Sequence, residues 1–317
     1  MEQTLSEHAG EIAAIFADAA AGAARYTGTL GESIRSLIVR ADPSAQGRAS
    51  NYIAFLLPTW MGERTEAPAE LRRDLAAGNV YAMLHFFLLD DLMDGSDAGL
   101  GRRQALAAGQ LLHALFLERY GRHYPPDSPL WEHYRVYLAE WGAAVAEEGI
   151  RRADPREARA LARKSAPVKL CAAGLLLSSG APARIAGMEE AVDLALASLQ
   201  LADDWADWRE DLPDERCNAF LTLVRQDCLK LPEDAPLEER QVLQAIYHKE
   251  ALDRLASIVS GYGERLAVLP EAAPGLVRFQ RSILLGIEQD RQAAKETTDK
   301  LASGGGFSYF LSKMQDL

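Results

Sequence analysis

Leu88-Leu89-Asp90-Asp91-Leu92-Met93-Asp94 is the point where an apolar run ends in three carboxylates. Read as a helix, it sets Asp90 and Asp94 one turn apart, with Met83, Phe86 and Phe87 below them on nearly the same stripe. One face is then greasy with an acidic rim. Carboxylates at a helix C-terminus meet the negative end of the macrodipole and repel one another, so the arrangement calls for a bound cation, with a divalent metal as the natural candidate.

A second stretch repeats the design: Leu199-Gln200-Leu201-Ala202-Asp203-Asp204-Trp205-Ala206-Asp207-Trp208-Arg209-Glu210-Asp211. Leu196, Leu199 and Gln200 precede Asp203 and Asp207 on one helical face, and Asp211 follows a turn later. Two such stripes facing each other would enclose a pocket with an apolar floor and carboxylates at its mouth. Hard oxygen ligands of this kind suit Mg²⁺, which takes a few carboxylates, keeps waters, and completes its shell from substrate phosphates. The predicted ligand is a diphosphate carrying a long hydrocarbon.

Outside these stretches, apolar residues recur at three and four spacing almost throughout, while alternating β-branched runs are missing. The pattern predicts an all-α, single-domain helical bundle of about ten or more helices around a central apolar pocket, spanning 1–317. Helices are expected at 5–26, 29–40, 48–57, 69–94, 102–121, 129–150, 155–179, 187–211, 216–229, 237–268 and 274–302. Breaks are expected at Asp42-Pro43, Gly62 to Pro68, Gly95 to Gly101, Tyr124-Pro125-Pro126, Gly180 to Pro182, Leu231 to Pro236 and Pro270 to Pro274. The tail 303–317 joins Gly304-Gly305-Gly306 to three aromatics and Lys313, the composition of a mobile C-terminal lid.

A net charge of −12, from 34 basic and 46 acidic residues, argues against nucleic acid as a partner. The three cysteines, Cys171, Cys217 and Cys228, show no paired spacing, and the acidic N-terminus lacks the order of a secretory signal; both point to the cytoplasm. No apolar run is long enough for a transmembrane segment. A di-iron bundle needs Glu-x-x-His pairs, and none of the six histidines has a glutamate three residues before it. Nucleotide-binding glycine loops and a Gly-x-Ser-x-Gly elbow are missing as well.

The paired acidic motifs resemble those of the isoprenoid synthase superfamily, which comprises trans-prenyl diphosphate synthases and class I terpene cyclases. The resemblance implies a trinuclear Mg²⁺ cluster held by Asp90, Asp91, Asp94, Asp203, Asp204 and Asp207, with a prenyl diphosphate as substrate. Gln200, three residues before Asp203, matches the second motif of farnesyl-type synthases. Ala166-Pro167-Val168-Lys169-Leu170 resembles the place where those synthases carry a Lys-Thr pair, which makes Lys169 the candidate diphosphate-binding lysine. Phe86 and Phe87 are the candidate cation-stabilising aromatics; Trp60, Tyr81, Trp141, Trp205, Trp208 and Phe220 are further wall candidates whose ordinary role is core packing.

The departures from the prenyl synthase pattern are as informative. Arg102-Arg103 arrives late after the first motif and is followed by Gln104 in place of Gly, and neither Arg40-Ala41-Asp42-Pro43 nor Gly47-Arg48 reproduces the N-terminal element that binds a second diphosphate. The Gly-Lys pair after the second motif is replaced, at nearest, by Arg216. Keeping the metal motifs while losing the partner site implies a one-substrate reaction, a class I terpene cyclase. The alternatives are a prenyltransferase and a non-catalytic regulatory partner of a related synthase. A homodimer is common in these families.

Overall fold

The computed structural model describes residues 2–43, 52–95 and 99–300, and every regular element among them is helical, with no strand. The expected lid at 303–317 and Gly47-Arg48 lie outside the described residues. In chain order the helices are α1 Glu2–Glu7, α2 Ala9–Ala23, α3 Gly28–Ala41, α4 Ile53–Thr65, α5 Ala69–Met93, α6 Arg102–Gly121 and α7 Leu130–Ala146. There follow α8 Ala158–Ala162, α9 Lys169–Ser178, α10 Ile185–Ala206, α11 Ala219–Leu223, α12 Glu239–His248, α13 Ala251–Val268 and α14 Pro274–Lys300. The chain forms two compact units: Met1–Trp141 with Ser165–Glu189 and Pro270–Phe279, and Gly142–Lys164 with Glu190–Leu269 and Gln280–Leu317.

In the first unit α5 is the central helix. Leu75 through Tyr81 are buried without interruption, as befits a helix that others surround, and α2, α4 and α6 pack on it. Helix α6 comes close because residue 78 is glycine: a Cβ there would lie 2.8 Å from Cε2 of Tyr120. Helix α4 departs from expectation, running to Thr65 through Pro58 and Gly62 where the sequence predicts an end at 57. Proline has no N–H for the carbonyl four residues back, here Ala54. Asn79, 3% exposed on α5, donates its Nδ2 to that carbonyl at 2.8 Å, and Tyr120 donates its hydroxyl to Asn79 Oδ1 at 2.6 Å. The orphan left by Pro58 is thereby satisfied, and the helix continues.

In the second unit α10 supplies a buried face through Val192, Ala195, Leu196 and Leu199. Gln280 of α14 donates to Ser198 Oγ and to the Val259 carbonyl, tying α14 to α10 and α13. The predicted helix over 237–268 is two helices, parted at Lys249 and at Glu250, which sits at φ 58. No Gly or Pro marks the break, and the apolar spacing runs on through it. The predicted helix over 155–179 is α8 and α9 joined by a 3-10 turn, Arg163–Val168, that contains Pro167. Helix α11 passes into a π-helical turn, Val224–Leu229.

Candidate functional site

The first acidic motif closes α5. The Asp94 amide donates to the Asp90 carbonyl at 2.9 Å, and Gly95, at φ 70, turns the chain out of the helix. Asp90 and Asp91 are half-buried, and Asp94 is exposed. Phe86 packs against Trp141 and His85, with ring centroids 5.0 Å apart in each case, whereas Phe87 is 44% exposed. His85 stacks on His113 at 4.8 Å, and its Nδ1 lies 2.9 Å from the Gly109 carbonyl. Burial, with the second imidazole adding to it, pushes His85 down to about 4, so it is neutral near pH 7 and a weak base. Arg102 and Arg103 open α6, both exposed, at the helix end where a cation is least favoured.

The second motif is built differently. Asp204, 4% exposed, accepts from Gln200 Nε2 through Oδ1 and from the Ala219 amide through Oδ2, each at 2.7 Å. It therefore satisfies the first amide of α11. Asn218 closes the loop, donating its Nδ2 to the Asp204 carbonyl at 2.7 Å and to Asp211 Oδ2 at 2.8 Å while its Oδ1 accepts from Leu221 N. Burial raises Asp204 to about 7, against the pull of its two donors. Asp203, half-buried, is raised to about 6 by burial and then by the charge of Asp207, which is exposed. Two carboxylates, Asp203 and Asp207, remain for a ligand, and Asp204 is committed to the fold.

Lys169 is also committed. It is 2% exposed, its Nζ lies 3.0 Å from Glu140 Oε2, and the ammonium stands 5.0 Å from the centroid of the Tyr137 ring. A buried, already neutralised ammonium serves a diphosphate only by abandoning that partner. The basic groups that gather are others. A cavity of about 300 Å³ in the second unit is lined by Gln200 and Arg216, two of the expected substrate-binding residues, together with Arg151, Arg152, Arg163 and Lys164. Glu147, Glu148, Asp154 and Glu157 also line it, so this cavity is polar rather than a greasy well. Arg163 pairs with Glu147 at 2.9 Å, and Lys164 pairs with Glu148. Among the wall candidates, Trp60, Tyr81, Trp208 and Phe220 are buried, and Trp205 donates to Asp290 at 2.8 Å.

Among the described residues, no three His, Cys, Asp or Glu side chains are grouped so as to hold a metal ion. Each motif instead offers a pair of carboxylates one turn apart. That donor set fits Mg²⁺ arriving with a phosphorylated ligand, since the ion takes one or two carboxylates and the rest of its shell from phosphate and water. No family model, curated protein or solved structure matches the chain. No helix among the described residues is long and apolar enough to cross a membrane.

Proposed function

We propose that the chain is a class I terpene synthase, a cytoplasmic cyclase that ionises a linear prenyl diphosphate, closes the allylic cation into a ring and releases pyrophosphate. The observation that carries this reading is the end of α10. There Asp203, half-buried and raised to about 6, stands one turn from Asp207, and Gln200 of the same helix lines a cavity with Lys164 and Arg216. Asp203 and Asp207 do not themselves line that cavity; Gln200, a turn before Asp203, links the carboxylate pair to it, and the combination suits a ligand that is anionic and metal-borne at once.

In the first unit Asp90 and Asp94, with Asp91 beside them, and in the second unit Asp203 and Asp207 are the carboxylates proposed to take Mg²⁺. When bound, the ion neutralises the departing diphosphate as a Lewis acid. Arg216, which makes no ion pair among the described residues, holds the same anion by charge-assisted hydrogen bonds. Phe86, against Trp141, offers an aromatic face to the cation. His85, buried and neutral, is a poor competitor for the cation's protons.

Incubating the protein with geranyl, farnesyl or geranylgeranyl diphosphate and Mg²⁺, followed by mass spectrometry of extracted hydrocarbons and alcohols, tests the reading. A cyclic product from one substrate alone is expected. A longer diphosphate formed only when isopentenyl diphosphate is added would replace cyclisation with prenyl transfer. Failure to release pyrophosphate from any of the three would leave the chain a non-catalytic partner.

A further inference from the structure

Arg152 lines the cavity of the second unit with its side chain only 8% exposed. Its Nη2 donates to Glu215 Oε1 at 3.1 Å and its Nε to Glu233 Oε1 at 2.9 Å. Its Nη1 is buried with no protein acceptor. An unpaired buried donor is unfavourable, the more so on a charged group, and calls for an acceptor from outside the chain. Arg152 has little freedom to turn away. Glu215 is gripped from its other side by Arg225, whose Nη2 donates to the same Oε1 at 2.6 Å and which also donates to the carbonyls of Pro232 and Ala235 at 2.5 Å.

The other cations of the cavity divide into spent and unspent. Arg163 and Lys164 are matched by Glu147 and Glu148, and Asp154 lies 3.7 Å from the Arg156 guanidinium. Arg151 and Arg216 make no ion pair among the described residues, and Glu157 is the lining acid left to face them. Two guanidinium groups without an ion pair therefore line the cavity with the spare Nη1 of Arg152, whose own charge is met by Glu215 and Glu233. We propose that this cavity binds a diphosphate group directly, with no divalent cation, through Nη1 of Arg152 together with Arg151 and Arg216. Guanidinium forks match phosphate oxygens in shape as well as charge. The inference rests on the proposed function only for the source of the diphosphate, as substrate or released product.

The test is calorimetric titration of the full-length protein, in EDTA, with inorganic pyrophosphate and in parallel with geranyl diphosphate. Both are expected to bind, more weakly as salt is raised. Arg152→Lys keeps the charge but not the fork, and is expected to weaken both about tenfold. Because that change also loosens the grip on Glu215, Arg151→Met and Arg216→Met, at residues outside any ion pair, are measured beside it and are expected to weaken binding as well. No binding in EDTA would overturn the proposal, and would leave Nη1 to a water shared with Glu215 Oε2, which is likewise buried without a partner. Wild-type affinity in all three variants would overturn it too. Turnover with Mg²⁺ but no binding in EDTA rejects this site and keeps the proposed function; binding in EDTA without turnover does the reverse.

Discussion

Helices α5 and α10 end in the same letters, two aspartates, two other residues and a third aspartate, yet they use their polar groups differently. Each helix lends one buried polar side chain to the backbone of a neighbour. On α5 it is Asn79, which serves the Ala54 carbonyl three turns before the acidic motif. On α10 it is Asp204, inside the motif, which serves the Ala219 amide. Stability and chemistry are therefore separable on the first helix and entangled on the second.

Replacing Asp204 with alanine gives the largest effect. It strands the Ala219 amide and the Gln200 amide group, and a loss of about 3 kcal/mol is expected, read from the urea midpoint. Activity should fall with it, because Gln200 and the start of α11 move together. Asn79→Ala comes next: the Ala54 carbonyl and the Tyr120 hydroxyl lose their partner, at about 2 kcal/mol, while activity per folded molecule stays at wild type. An equal loss of activity in both variants would erase the distinction between the helices.

The pH dependence of stability sharpens the same contrast. Asp203 at about 6 and Asp204 at about 7 hold protons in the folded state that the unfolded chain has released, so their contribution is full below pH 4 and is lost as pH rises through 6 and 7. The slope is at most ~1.4 kcal/mol per pH unit for each group, and Asp203→Asn should remove its share. In the first unit Asp74 does the opposite. Burial alone would raise it, but bonds from His123 and Arg119 outweigh burial and hold it below its usual value, so its contribution is lost as pH falls. The smallest effect on stability belongs to Asp94→Ala. Asp94 is exposed at the end of α5, and its loss should shift the midpoint by no more than about 0.5 kcal/mol. Under the proposed function the same variant loses turnover by about a hundredfold or more.

These contrasts also mark what could be read from the sequence. The apolar spacing gave the all-helical class and the extent of α5, because a helix buried on every side writes its period plainly. Local rules end α4 early because Pro58 and Gly62 are breakers, and the compensation comes from Asn79, many residues away. The parting of α12 from α13 was invisible, since Glu250 adopts a left-handed backbone without being glycine. At the candidate site, spacing picks out Gln200, Asp203 and Asp207, and Arg216 enters only through the resemblance. Spacing does not separate Asp204 from its neighbours, because burial of one carboxylate in three depends on the Asn218 loop that folds back on it. Lys169 and Lys164 differ in the same way. Both are lysines near Pro167, and spacing shows neither the burial of Lys169 against Glu140 nor the pairing of Lys164 with Glu148.

The hydrogen bond across Pro58 has a further consequence for descent. Residues 58 and 79 are distant in sequence but share one carbonyl, so neither is free to drift alone. A lineage that regains an N–H at 58 releases 79 from its amide, and one that loses the amide first inherits a damaged helix. The two positions should thus be passed on as a pair, with the change at 58 preceding the change at 79 wherever both have altered.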